Sequence, residues 1–164
     1  MHKIITTAAV VAAAAAVLSG TGIAMAGTHS AASGTENFQM MTTSATSPTA
    51  SVIASGVFTA PGTDHEGAHN TGTFTFSNGT VTVKHSKGTG TQSFDPKTCL
   101  LTVNQHGTYN ITGGTGSYAG ITGSGKYQLS ILSIGASSGG KCSKTKPPVA
   151  FHQVINASGP VTLP

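Results

Sequence analysis

Beyond residue 50 the chain consists of short runs in which apolar and polar side chains alternate, each ended by Gly, Asn, Asp or Pro. No stretch there places apolar residues at i, i+3, i+4 and i+7. Successive side chains of a strand point to opposite faces, so this two-residue period predicts strands and argues against amphipathic helices. The first run spans 52–59. Residues 72–77 set Phe74 and Phe76 on one face and Thr73 and Thr75 on the other. Asn78-Gly79 follows, a pair that tolerates the positive φ of a tight hairpin. Val81 and Val83 then face inward, with Thr80, Thr82 and Lys84 outward. A weaker strand at 89–94 stops at Asp95-Pro96. Residues 99–111 carry Leu101, Val103, Tyr109 and Ile111 on one parity; 126–134 carry Tyr127, Leu129 and Ile131; 149–155 carry Val149, Phe151 and Ile155. About seven or eight strands joined by tight turns imply a sandwich or a closed barrel. Threonine, β-branched yet polar, suits the solvated face of either. Closure would also remove the free edges that invite aggregation.

The first 26 residues read as a secretory signal peptide. Met1-His2-Lys3 is a short basic start, and an apolar run of Ala, Val, Ile and Leu extends over 4–18. At about fifteen residues that run is short of the roughly 20 needed to span a bilayer. Ala24-Met25-Ala26 then offers small side chains at the first and third positions that signal peptidase requires. Cleavage after Ala26 implies a secreted, extracellular protein with no membrane segment left. Residues 27–49, rich in Ser, Thr, Ala and Gly, show neither period and are expected to form a flexible linker. The remaining 50–164 are expected to form one β-domain.

Charge is sparse. Without Lys3 there are seven Lys against four acids (Glu36, Asp64, Glu66 and Asp95), and there is no Arg. Phosphate neutralisation normally takes clustered Arg and Lys, so the composition argues against a nucleic-acid partner. Lys141, Lys144 and Lys146 read as a solvated loop. The two cysteines, Cys99 and Cys142, are expected to pair in an oxidising exterior. A closed loop of about 40 residues is worth roughly 3–4 kcal/mol in the chain-entropy account.

Residues 107–127, Gly-Thr-Tyr-Asn-Ile-Thr-Gly-Gly-Thr-Gly-Ser-Tyr-Ala-Gly-Ile-Thr-Gly-Ser-Gly-Lys-Tyr, are the most distinctive part. Tyr109 and Ile111 face one way on a strand, the glycines make a compact turn, and Tyr118 and Ala119 pack back on the strand end. A phosphate loop is excluded, because neither a Lys-Ser/Thr nor a helix follows. The segment resembles one found in secreted bacterial proteins of the allene oxide cyclase/dirigent-like barrel superfamily, and the surrounding strand layout agrees over roughly 50–164. The resemblance implies an all-β, antiparallel, closed eight-stranded barrel with a small apolar lumen, often assembled as a homotrimer. In plant relatives the implied substrates are small apolar oxidised molecules: cyclases isomerise a fatty-acid epoxide, and dirigent proteins orient phenoxy radicals. The matched segment supplies no catalytic residue to carry over.

His65-Glu66-Gly67-Ala68-His69 matches H-E-x-x-H letter for letter. That spacing ligates zinc only on a helix, and Pro61-Gly62, Gly67 and Asn70-Thr71-Gly72 give it no helical face. It reads as a polar loop, and neither a metal nor another cofactor is expected. Strand parity gives a second set of candidates. His85 shares a face with Val81 and Val83, Gln92 with Phe94, Gln105 with Leu101 and Val103, and Gln153 with Phe151 and Ile155. Polar groups facing a lumen are costly unless bonded, so these sit at the rim or contact a ligand, joined by the hydroxyls of Tyr109 and Tyr127. The expectation is a secreted, non-catalytic barrel whose lumen takes a small apolar molecule. A cyclase-like isomerase and a structural surface protein are the competing readings.

Overall fold

The computed structural model describes residues 31–164, so the expected signal peptide lies outside the described residues. Eleven strands follow one another: β1 (Ala32–Thr42), β2 (Thr49–Ser55), β3 (Thr59–Glu66), β4 (Thr71–Phe76), β5 (Gly79–His85), β6 (Thr89–Asp95), β7 (Leu100–Gly114), β8 (Thr122–Ile134), β9 (Ser137–Ser138), β10 (Lys141–Cys142) and β11 (Ala150–Leu163). Neighbours pair in the order β5-β4-β3-β2-β1-β11-β8-β7, and β7 pairs back with β5. The result is the closed, antiparallel, eight-stranded barrel. β6 stays outside the ring, and β9 and β10 form a separate two-stranded ribbon.

The strand β1 corrects the expected linker over 27–49. Glu36, Phe38 and Met40 alternate inward and are buried, and β1 joins β2 on one side and β11 on the other. Two neighbouring boundaries also move. The run expected at 52–59 is the end of β2, a turn at 56–58 and the first residue of β3. Pro61-Gly62 lies inside β3 and does not end it. The β3–β4 ladder begins at Gly62, so the missing N–H of Pro61 takes no bond from β4. The last strand begins at Ala150 and continues to Leu163, leaving Val149 exposed.

At one end the lumen is plugged. Phe58 and Tyr118 stack 4.8 Å apart, Phe76 lies 5.3 Å from Tyr118, and Phe38 lies 5.0 Å from Phe74, within a core that also takes in Ile121 and Val161. Such tilted ring contacts accompany the apolar area that these rings bury. Turns at this end meet without side chains: Gly79 holds φ +144°, where a Cβ would lie 2.0 Å from the Thr115 carbonyl oxygen. Fully buried Glu36 accepts the Phe58 N–H at 3.0 Å and so secures the β2–β3 turn. Burial raises its carboxyl above the ordinary range, and backbone N–H bonds from Phe58, Asn37, Ser55 and Val57 oppose that rise.

The opposite end is built differently. There β7, β8 and β11 run beyond the ring, and β6 adds to the outer half of β7 from Leu100 to His106, while β5 takes the inner half from Tyr109 to Gly114. The Cys99–Cys142 disulfide ties the start of β7 to β10, in the connection between β8 and β11.

Candidate functional site

A cavity of about 510 Å³ opens at this second end of the barrel. Its mouth is ringed by the ends of β1, β3 and β5 and by the connections that follow them, including Ser47, Pro48, Asn70 and Ser86 to Gly88. Its inner wall is apolar, formed by Phe38, Met40, Phe74, Val83, Leu129 and Ile155. All six occupy inward positions of alternating strands, so the same pattern that builds the barrel also builds the pocket.

Five of the six candidates read from parity line this cavity: His85, Gln105, Tyr109, Tyr127 and Gln153. Gln92 does not. Its parity matches that of Phe94, but it lies exposed on β6, outside the ring. Tyr127 reaches across the mouth and donates its hydroxyl to the Ser86 carbonyl at 3.0 Å. That reach depends on Gly107, where a Cβ would stand 2.6 Å from the Tyr127 ring and from the Ser86 hydroxyl. Ser86 in turn accepts the Thr108 N–H at 2.9 Å, which fastens the point where β7 changes partner from β5 to β6.

Two acids face the cavity: Glu66, expected in a polar loop, and Asp64, which the sequence reading did not single out. Asp64 and Glu66 stand two residues apart on β3 and so share a face, and both line the lumen. Glu66 pairs with His85 Nε2 at 2.9 Å, and His85 Nδ1 lies 3.1 Å from the Ser86 carbonyl oxygen. A doubly protonated ring donates to both acceptors at once. Asp64 is only 7% exposed, and its Oδ1 has no hydrogen-bond partner. Desolvation, followed by the Glu66 charge, pushes its carboxyl up to about 6, against a smaller opposing pull from His65 and His85. Tyr109 is as deeply buried, and its hydroxyl also lacks a partner. Burial, with a further contribution from Glu36, pushes that hydroxyl up to about 12, so it stays a neutral donor and acceptor.

The H-E-x-x-H segment is not helical: His65 and Glu66 end β3 on opposite faces, and Ala68–Asn70 form a single 3-10 turn. Glu66 therefore turns to the lumen while His65 turns to solvent. Among the described residues no group of three His, Cys, Asp or Glu is placed to hold a metal ion, and no helix is long and apolar enough to cross a membrane.

Asp64 left a faint signal in the sequence. The inward face of β3 reads Ala60, Gly62, Asp64 and Glu66, with no large apolar residue to mark the strand. Only the strict alternation with outward Thr59, Pro61, Thr63 and His65 points to it. No family model, curated protein or solved structure matches the chain.

Proposed function

We propose that this chain is an exported, non-catalytic β-barrel that holds a small, largely apolar molecule in its lumen, as a secreted relative of the allene oxide cyclase/dirigent-like barrels. The observation that carries the reading is the cavity: closed by aromatic rings at one end, apolar along its wall and edged with polar groups at its mouth. Small-molecule sites commonly have this form, with apolar surface giving affinity and a few polar atoms fixing orientation. Among the described residues three buried polar atoms lack partners; Glu36 Oε1 lies elsewhere, but those of Asp64 and Tyr109 line the cavity and add to it, because protein interiors seldom leave such groups unbonded. The disulfide and the N-terminal pattern of basic start, apolar run and small-residue triplet support export. Titration with the neutral apolar fluorophore N-phenyl-1-naphthylamine tests the lumen. Saturation at one probe per chain is expected, with loss of binding on Ala157→Leu, which extends a side chain from the wall into the cavity. Binding that ignores this substitution would place the probe elsewhere and remove the reading.

The isomerase reading draws on one feature, the carboxyl of Asp64, which burial inside the cavity pushes up to about 6. It requires a bound molecule to leave chemically changed. A carrier releases its molecule intact, so mass analysis of what is extracted from the loaded protein separates the two. We favour the carrier because the neighbouring acid and base, Glu66 and His85, are already committed to each other.

A further inference from the structure

The charge of the lumen narrows the kind of molecule it takes. Glu66 and Asp64 line it two residues apart on one face of β3, but the nearby imidazole of His85 bonds only one of them. His85 bonds Glu66, leaving Asp64 with no ion pair and no donor at Oδ1. Lys87 also lines the mouth and makes no ion pair with either acid. A carboxylate removed from water and left unpaired is strongly unfavourable, and a well-placed protonated amine beside it offsets part of that loss. A second unpartnered group, the Tyr109 hydroxyl, lines the same cavity and can accept an N–H. Around them stand aromatic rings: Phe74 lies opposite Asp64 in the β3–β4 register, and Phe38 packs 5.0 Å from it. Ring faces attract cations, most strongly where water is excluded.

We propose that the lumen selects a cationic amphiphile, an apolar body carrying a protonated amine that pairs with the Asp64 carboxylate. The inference rests on the reading of the lumen as a binding site and adds the chemical class of what enters it. The elevated Asp64 carboxyl agrees with it, since a bound ammonium would favour the ionised form that the free site disfavours. An anionic amphiphile is disfavoured by the same groups, because its head would meet Asp64 and Glu66 in the lumen, where His85 is already bonded to Glu66 and Lys87 stands only at the mouth.

The test uses three probes of equal chain length at pH 7.5, decylammonium, decanol and decanoate, each displacing N-phenyl-1-naphthylamine from the full mature chain. Decylammonium should bind roughly tenfold or more tightly than decanol, the factor a charge-assisted hydrogen bond supplies, and decanoate should bind most weakly. In Asp64→Asn the decylammonium-to-decanol ratio should fall to about threefold or less. Equal binding of all three probes to the wild-type protein, or preference for decanoate, would overturn the inference while leaving a lumen site in place. Failure of the fluorophore and all three probes to bind would overturn the lumen reading and this inference with it. The wild-type comparison needs no variant, so it decides the matter even if Asp64→Asn folds poorly.

Discussion

Replacing Asp64 with Asn should make the protein more stable at neutral pH, by an amount that the structure allows to be worked out. Asp64 is 7% exposed, and burial pushes its carboxyl from the 3.8 of the free side chain up to about 6. The folded state therefore holds this proton more tightly than the unfolded chain does. Well below pH 3.8 both states are protonated, and the site imposes no penalty. As pH rises from about 4 to 6 the unfolded chain ionises first, and stability falls until the folded carboxyl has ionised too. A difference of about two pH units at 1.36 kcal/mol each gives about 3 kcal/mol lost by pH 7.5. Asn cannot ionise and escapes the loss. Glu36, also raised, titrates in both proteins and cancels. Urea unfolding of the two proteins at about pH 3.0 and 7.5 isolates the effect. The midpoints should differ by little more than the packing change at about pH 3.0, and Asp64→Asn should gain about 1–2 M at pH 7.5 for an m-value of roughly 2 kcal/mol/M. An advantage of equal size at both pH values, or none at pH 7.5, would show that Asp64 is not desolvated as described. The stabilised variant should lose ligand discrimination, the usual exchange of stability for function at a site.

Two further outcomes test the frame around the site. Reducing the Cys99–Cys142 bond, which spans 43 positions, should lower the free energy of unfolding by about 4 kcal/mol; urea titrations with and without dithiothreitol measure it, and a change below about 1 kcal/mol would mean that the bond constrains little of the unfolded chain. Phe38→Ala removes the ring that contacts Phe58, Phe74 and Tyr109 and should cost about 3–5 kcal/mol; thermal and urea midpoints report it, and a loss under about 1 kcal/mol would show that the plugged end is not packed as a unit.

Legibility in the sequence followed side-chain size. Strands whose inward positions hold large apolar groups announced themselves: Phe74 and Phe76 on β4, Val81 and Val83 on β5, Tyr127, Leu129 and Ile131 on β8. The inward positions of β1 are Gly34, Glu36, Phe38, Met40 and Thr42, too mixed to stand out from a Ser/Thr-rich background. Those of β3 hold nothing larger than Glu66, and Pro61-Gly62 suggested a break. Gln92 shows the limit of parity as a guide. Its position relative to Phe94 was read correctly, but β6 pairs only with the part of β7 that lies beyond the ring.

Alternation along the chain determined that there would be strands, and which side of most of them would turn from water, because a two-residue period admits one pleated solution. It also placed His85, Gln105, Tyr109, Tyr127 and Gln153 on the inward side. Pairing alone decided the rest. Closure of β5 onto β7 made a lumen out of inward faces, and the β3 register set an unaccompanied Asp64 beside a Glu66 already bound to His85. A carboxylate becomes chemically distinctive through what surrounds it, and its surroundings come from strands far apart in the chain.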